Sequence, residues 1–383
     1  MKLALVALAL IVVLAAAALL PVRPYLDFQV IYHADLGLLR GISLYDHAGQ
    51  VGMLAELAGV PTGQVFVLPF PYPPWYALST LWLARLSIDL AARAWFGLNL
   101  LLFFLSMWLL TEALPAAKRA VLLAAGLLWL PVLGSLFVGQ YGFPVLLGAA
   151  LMIHALRREN ALLVACAAAL LTFKPHLGGP VVVLAFIKLA QRRDRVGRDA
   201  LLATLSAGVI LFGLGFLASP NWPVNYVRSL TAFGSLGGVS QCTQCVSLST
   251  ALVRLAGGGL QEAVGIAAVI AGLCCAWLVL RWRQVASTPG GLAAVCILII
   301  MLVSPYLQNY DYLLLLVPFI ELALGTRSAL EWIGVALAYA LPFVGLGLLG
   351  TAGNGSLILS ACILSALVAR SVTPRVVITA TGA

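Results

Sequence analysis

Apolar runs recur from one end of this chain to the other and constrain its fold more than any other feature. Hydrophobic residues make up 63% of the 383 residues, the mean hydropathy is +1.07, and only 9% of the residues are charged. Soluble domains carry much more charge than this. The composition therefore predicts an all-α integral membrane protein, because helices satisfy their own backbone hydrogen bonds in lipid.

The apolar runs predict a single transmembrane domain over residues 1–383 with about twelve spans. Residues 1–20 form the first span, residues 21–93 an outer loop, and residues 94–383 the remaining spans. The Ala15-Ala16-Ala17 run also resembles a signal-peptide cleavage site, but an uncleaved span is favoured because the apolar run is long for a signal peptide. The predicted spans are Leu3–Leu20, Ala94–Leu114, Ala120–Val138, Phe143–Leu156, Ala161–Phe173, Gly179–Ala190, Leu201–Leu217, Ala263–Leu280, Leu292–Ser304, Tyr312–Leu324, Leu330–Leu349 and Leu357–Ala369.

The stretch Trp75–Leu86 decides the predicted topology. It is too short for a confident span and suits a re-entrant or interfacial helix. If Trp75–Leu86 does not cross the membrane, the basic segments that connect the predicted spans all lie on one side of it. These segments include the run Lys188–Arg198, and the side that carries them is then cytoplasmic. The net charge of +9 is therefore interpreted as a topology signal, and no nucleic-acid partner is expected.

Polar residues concentrate in the outer loop directly after the first span. A helix here would place Phe28 and Tyr32 on one face and His33 and Arg40 on the other. Such a helix is predicted to lie on the membrane surface with its polar side toward a cavity. Asp27, at the start of this stretch, is the candidate catalytic residue. Its alternative role is that of a helix N-cap.

Four cationic or titratable side chains are candidates for binding a phosphate group. Lys174 and His176 lie at the outward end of a predicted span, where a charge can also simply reach the interface. Lysine binds phosphate as a point charge. Arg40 and Arg254 are weaker candidates, since either residue can instead meet lipid headgroups.

Further polar and aromatic residues on the same side are candidates for binding a sugar or an acceptor. For the Gln140-Tyr141 turn the alternative is turn chemistry with an interfacial tyrosine, and for Asp311 it is capping of a helix. The candidates are His33, Gln140, Tyr141, Trp222, Tyr310 and Asp311.

Most of the seven cysteines lie inside predicted spans and are interpreted as small apolar residues. Cys242 and Cys245 are the exception. A zinc site would need two further ligands, and none lies near them in sequence. A local disulfide and two free thiols are both open for this pair.

Several motifs, taken in order, resemble glycosyltransferase family 87. They are Asp27-Phe-x-Val-x-Tyr-x-Ala-Asp35-x-x-Leu-x-x-Gly41-x-x-Leu-Tyr45-Asp46, Phe70-Pro-Tyr72-Pro-Pro74, Gly139-Gln140, Phe173-Lys174-Pro-His176, Ser247-Leu-Ser-x-x-Leu-x-Arg254, and Ser304-Pro305 followed by Tyr310-Asp311. The chain departs from the family in two places. Tyr312 and Leu313 stand where members often have histidines, a role that His33 would then supply, and Val246 replaces a frequent glutamine.

The resemblance implies a GT-C-type bundle in a bacterial inner membrane, with short periplasm-facing helices in the outer loop. It also implies a hexosyltransferase that uses a polyprenyl-phosphate sugar, with mannose as the leading sugar, and a lipid or glycan acceptor. Asp27 would be the base of an inverting reaction, with no metal or other cofactor. The alternatives are a lipid-linked sugar transporter or flippase, which would pair charges at mid-membrane, and another membrane protein of polysaccharide assembly.

Overall fold

A computed structural model describes residues 13–236, 245–258, 260–325 and 328–372. Within these ranges the chain is helical and contains no strand. The first helix, α1, is described over residues 13–19. The other α-helices are α2 Leu26–Leu39, α3 His47–Ala58, α4 Pro74–Thr80, α5 Ile88–Leu110, α6 Ala116–Leu128, α7 Leu130–Val138, α8 Gly142–Arg158, α9 Ala161–Leu171, α10 Pro175–Gln191, α11 Arg195–Ala218, α12 Trp222–Leu236, α13 Leu248–Leu255, α14 Leu260–Val285, α15 Pro289–Val303, α16 Leu316–Gly325, α17 Ala329–Leu349 and α18 Gly355–Val372. The 3-10 helices are Thr62–Gln64, Leu81–Arg85, Asn309–Leu315 and Gly350–Asn354.

Five of the described helices are long and apolar enough to cross a membrane, and a sixth span is formed if the α6–α7 pair, bent by 59°, counts as one. The five are Ile88–Leu110, Arg195–Ala218, Glu262–Val285, Ala329–Leu349 and Ala352–Ser371. The predicted count of about twelve spans is therefore not confirmed.

Two predicted spans correspond to shorter apolar helices, α9 and α15. Helix α15 has 15 residues, most of them buried, and α9 has 11. A helix of 11 residues is about 17 Å long, which is much less than the hydrocarbon thickness of a bilayer. Short apolar helices of this kind are stable where other helices surround their ends.

The Trp75–Leu86 stretch forms α4, with seven residues, and the following 3-10 helix, with five. Pro74 opens α4 at a position where proline's missing N–H removes no helical hydrogen bond. Together they are too short to cross a bilayer, as predicted. Which side of the membrane they face stays a prediction.

The stretch after Asp27 forms helix α2, as predicted, but this helix is not amphipathic. Ile31 and Asp35 are fully buried, as is Phe28 on the predicted apolar face, whereas Leu39 is exposed. The cause is that α2 is packed against the 3-10 helix Leu81–Arg85. Tyr32 secures this packing by donating from Oη to the Leu86 carbonyl at 2.7 Å.

Arg93, in the second turn of α5, fixes the position of the chain just before α2. Its Nη1 donates to the carbonyls of Ala17, Ala18 and Leu20 at 3.0, 2.8 and 3.3 Å. Carbonyls at the C-terminal end of a helix have no partner within that helix, and a cation there also offsets the helix dipole. The contact therefore holds the segment between α1 and α2 against α5.

Cys245 is buried, and Cys242 lies outside the described residues. Cys245 forms a disulfide bond, which excludes the free-thiol alternative for this residue.

Candidate active site

Asp27 lies in the first turn of α2 and is partly accessible. It does not act as the N-cap. That position is occupied by Tyr25, and no side chain caps the helix. The Asp27 carboxylate instead accepts hydrogen bonds at Oδ1 from Gln140 Nε2 and, at 3.4 Å, from Tyr310 Oη. In the described part of the chain no hydrogen bond reaches Oδ2.

Gln140 connects Asp27 to a buried ion pair. While its Nε2 donates to Asp27, its Oε1 accepts from Lys174 Nζ at 3.1 Å. Lys174 Nζ also donates to Asp311 Oδ1 at 2.5 Å, and the ammonium lies 5.1 Å from the centre of the Tyr310 ring. Lys174 is 3% exposed and Asp311 1%. We call Asp27, Gln140, Lys174, Tyr310 and Asp311 the Asp27 cluster.

Asp311 confirms the capping interpretation and also forms an ion pair, while its contact with a sugar stays a prediction. Its Oδ2 accepts from the backbone N–H of Gln308, which caps the 3-10 helix Asn309–Leu315. Its Oδ1 meanwhile pairs with Lys174. Both carboxylate oxygens are therefore occupied, and the charge of Lys174 is largely offset by this contact.

The Gly139-Gln140 turn places the amide between Asp27 and Lys174. Gly139 ends α7 in the left-handed conformation, with φ at 76°. Trp95 Nε1 donates to the Gly139 carbonyl at 2.9 Å, and Asn99 Nδ2 donates to the Gln140 carbonyl at 3.3 Å. Neither Trp95 nor Asn99 is singled out by the sequence, because a polar atom within an apolar helix gives no hint of a partner about 40 residues away.

Tyr141 supports the backbone beneath the catalytic candidate. Its Oη donates to the Asp27 carbonyl at 3.0 Å, and its side chain is buried. Its ring packs edge-on against Tyr72 and Tyr76, at centroid separations of 4.3 and 4.8 Å. This buried aromatic packing fixes the turn of α2 that carries Asp27.

Burial raises the pKa of Asp27 to about 6. The positive charge of Lys174 opposes this increase, the charge of Asp311 adds to it, and the hydrogen bonds from Gln140 and Tyr310 oppose it. The carboxyl group is therefore ionised at neutral pH yet basic enough to accept a proton, which is the range suited to a general base.

His176 is accessible and lies next to the Asp27 cluster. Its ring is 5.9 Å from that of Tyr306. Although part of the side chain is accessible, the surrounding protein and then the charge of Lys174 lower the pKa of His176 below its ordinary value, against the effect of Asp311. At neutral pH His176 is thus a neutral hydrogen-bonding group.

The structure does not bring the remaining sequence candidates to the Asp27 cluster. Arg40 is exposed beyond the C-terminal end of α2, about 20 Å from Asp27 along the helix axis. Arg254 is exposed in the last turn of α13. Burial lowers the pKa of His33 to about 4. Trp222 is 6% exposed, and its Nε1 donates to the Phe212 carbonyl at 3.0 Å.

Tyr312 and Val246, at the two places where the chain departs from the family pattern, contact each other. Tyr312 is fully buried, and its Oη donates to the carbonyl of Val246 at 3.0 Å. The Val246 N–H in turn donates to the Leu307 carbonyl at 2.7 Å. Tyr312 is therefore a structural residue that ties the 3-10 helix Asn309–Leu315 to the segment before α13.

Comparison with known protein families identifies the family of this chain. The model of glycosyltransferase family 87 matches residues 70–305, well over half of the chain. The chain belongs to glycosyltransferase family 87. In this family 87 glycosyltransferase the matched range contains Gln140 and Lys174, while Asp27 precedes it and Tyr310 and Asp311 follow it. Among curated proteins and among solved structures, nothing matches the chain. Together with its apolar helices, the family makes the chain a multi-pass membrane glycosyltransferase.

Gly139 provides a test of the turn that positions Gln140. Alanine there would meet a strained backbone conformation, and its Cβ would lie 2.9 Å from Phe28 Cβ, beside Asp27. Gly139→Ala is expected to lower the free energy of unfolding by about 1–2 kcal/mol from backbone strain alone, and to lower activity because α2 must shift. Thermal unfolding in detergent and a transfer assay measure these effects.

Gly59→Ala is the matched control for this substitution. Gly59 has a similar φ of 65°, but a Cβ there meets nothing within 4 Å. Gly59→Ala should therefore lower stability and leave activity per folded molecule unchanged. Equal specific activity in the two variants would show that the α2 contact is unimportant.

Proposed function

We propose that this protein transfers a hexose, with mannose as the leading sugar, from a polyprenyl-phosphate donor to a lipid or glycan acceptor. The proposed setting is the outer, periplasmic face of a bacterial inner membrane, within a GT-C-type bundle. The observation that carries the proposal is the Asp27 carboxylate, with Oδ1 held by Gln140 and Tyr310 and Oδ2 left for a substrate hydroxyl.

Asp27 is the general base in this mechanism. Its Oδ2 takes the proton of the acceptor hydroxyl while the acceptor oxygen bonds to the anomeric carbon of the donor. The bond from that carbon to the phosphate oxygen breaks, and the lipid phosphate leaves with the electron pair. A single displacement of this kind inverts the anomeric configuration. Gln140 and Tyr310 orient the carboxylate so that Oδ2 stays toward the acceptor.

Lys174 and His176 are proposed to act on the donor phosphate. Two of the three hydrogens of the Lys174 ammonium are used, in bonds to Gln140 and Asp311, and the third is available for a phosphate oxygen. Because Asp311 already offsets the lysine charge, accessible His176 is the second donor that this role needs. Arg40 and Arg254 are proposed only as contacts to lipid or phosphate outside the Asp27 cluster.

A transfer assay tests the proposal. Purified protein in lipid nanodiscs is incubated with radiolabelled polyprenyl-phosphate mannose and a bacterial membrane extract, and the labelled products are separated. Transfer of label to an acceptor, with inversion at the anomeric carbon, is the expected result. Failure to transfer label from the mannose, glucose and galactose forms of the donor would contradict the proposed function.

A further inference from the structure

Tyr72 is a polar side chain beside the Asp27 cluster that the mechanism above does not use. It belongs to the Phe70-Pro-Tyr72-Pro-Pro74 motif, directly before α4. Its ring packs edge-on against Tyr141 at 4.3 Å, and Tyr141 in turn donates to the Asp27 carbonyl. Tyr72 is partly accessible, and its hydroxyl makes no hydrogen bond in the described part of the chain. This hydroxyl is therefore available to a substrate.

The position of Tyr72 is fixed through its backbone and its ring. Pro73 restricts the residue before it to an extended backbone conformation. Tyr45 Oη donates to the Tyr72 carbonyl at 2.8 Å, and the Phe70 ring packs edge-on against the Tyr72 ring at 5.5 Å. A side chain held in this way loses little conformational entropy when it binds a ligand. The hydroxyl of Tyr72 is therefore preorganised.

The charges around Tyr72 favour a neutral ligand. Burial raises the pKa of its hydroxyl well above the ordinary value, as do two neighbouring tyrosines and then the carboxylates of Asp27 and Asp311. The hydroxyl therefore stays protonated and can donate a hydrogen bond. A phosphate beside it would face the negative charge of Asp27, whereas a sugar hydroxyl is neutral and can accept from Tyr72.

Tyr72 faces both ends of the proposed reaction. The effect of Asp27 on its pKa places it near the base, and the effect of Asp311 places it near the ion pair with Lys174. In the proposed mechanism the acceptor oxygen lies at Asp27 and the donor phosphate at Lys174. The hexose of the donor joins these two points, because its anomeric carbon is bonded to the phosphate and is attacked by the acceptor.

We propose that Tyr72 Oη forms a hydrogen bond with a hydroxyl group of the transferred hexose and so contributes to the choice of sugar. The inference rests on the transferase activity proposed above. A site that binds a substrate hydroxyl in this way discriminates against an analogue that lacks it, because the phenol is then covered by the substrate and left without a partner. Tyr72 is thus a specificity-determining residue rather than only part of the fold.

Tyr72→Phe removes only the hydroxyl. The ring contact with Tyr141 and the hydrogen bond to the Tyr72 carbonyl do not involve that oxygen. Tyr226→Phe is the matched control. Tyr226 is also partly accessible, and burial raises the pKa of its hydroxyl to about 12, but its ring packs against Tyr45 and Trp222, outside the Asp27 cluster. Both variants should keep the native unfolding temperature.

The first measurement is binding without an acceptor, so it does not depend on catalysis. Protein in nanodiscs is titrated with the radiolabelled mannose, glucose or galactose form of the donor, whichever the native protein binds most tightly, and unlabelled polyprenyl phosphate is the competitor. Tyr72→Phe should raise Kd for the sugar form about 2–10-fold, the contribution of one hydrogen bond, and leave Kd for polyprenyl phosphate unchanged. Tyr226→Phe should change neither value. An equal rise for both ligands in Tyr72→Phe, or no rise for either, would overturn the proposal.

The second measurement compares donors whose hexose lacks a single hydroxyl group. The ratio kcat/KM is measured for the intact donor and for each monodeoxy analogue, in the native protein and in Tyr72→Phe. With the intact donor the variant should be about 2–10-fold lower. With the analogue that lacks the bound hydroxyl the two proteins should be equal, because the hydrogen bond is already absent. The same fold-loss with every analogue would contradict a contact between Tyr72 and the sugar.

These results distinguish a wrong assignment of Tyr72 from a wrong function. If Tyr72→Phe weakens binding of the sugar form alone, yet the native protein transfers sugar to no acceptor, the sugar contact stands and the proposed transferase activity fails. If the native protein transfers sugar while Tyr72→Phe keeps the native Kd and the native kcat/KM, the function stands and the assignment of Tyr72 is wrong.

Discussion

Replacing Asp27 by Asn is expected to lower kcat for sugar transfer by about 10²–10⁴-fold, the usual contribution of a general base. Asparagine has almost the same shape, and its Oδ1 can still accept from Gln140 and Tyr310, so α2 and the Asp27 cluster should keep their geometry. Only the ability to take a proton is removed. Initial rates of label transfer in nanodiscs, at saturating donor, measure the effect.

The matched control is Asp46→Asn, at the start of the next helix after α2. Asp46 caps α3 by accepting from the Gly49 N–H at 3.0 Å, and asparagine caps helices equally well. This variant should keep native activity, and both variants should keep the native unfolding temperature. Native transfer rates in Asp27→Asn would remove Asp27 from the mechanism and leave the family assignment unaffected.

Replacing Lys174 by Met is expected to lower the free energy of unfolding by about 3–5 kcal/mol, because Asp311 is then buried without its charge partner. Lys174 and Asp311 side chains are 4% and 1% exposed, so water does not compensate for the loss. Thermal or denaturant unfolding in detergent measures the change. Activity should also fall, since the pKa of Asp27 rises when the nearby positive charge is removed.

The double variant Lys174→Met with Asp311→Asn separates stability from chemistry. Removing both charges restores most of the lost stability, while asparagine can still accept from the Gln308 N–H. Activity at neutral pH should not return fully. Lys174 affects the pKa of Asp27 more strongly than Asp311 does, so the net effect on that pKa is still upward. A double variant as unstable as Lys174→Met would show that the ion pair is not what the lysine stabilises.

The sequence supplied the members of the Asp27 cluster but not their contacts. Asp27, Gln140, Lys174, Tyr310 and Asp311 are all named from local composition and from resemblance. Their hydrogen bonds join residues 113, 34 and 137 positions apart. Separations of this size depend on how the helices pack, which a single sequence does not determine.

The number of spans was the least predictable feature of the fold. Hydropathy alone does not distinguish a helix in lipid from a short helix buried among other helices, because both are apolar on every side. Helix α15 is an example, with an apolar sequence, 15 residues and little contact with the exterior. The prediction that α2 is amphipathic was wrong for a similar reason, because its polar residue Asp35 is buried beside α4.

The dependence of kcat/KM on pH tests the central claim, that the ionised Asp27 carboxylate is the base. Since burial raises the pKa of Asp27 to about 6 and the base must be unprotonated, activity should fall as the pH drops below about 6 and level off above it. In Gln140→Leu, which lacks a hydrogen bond that favours the carboxylate, the fall should begin at higher pH. A native profile that is flat down to pH 4, or a midpoint that Gln140→Leu leaves in place, would contradict the account.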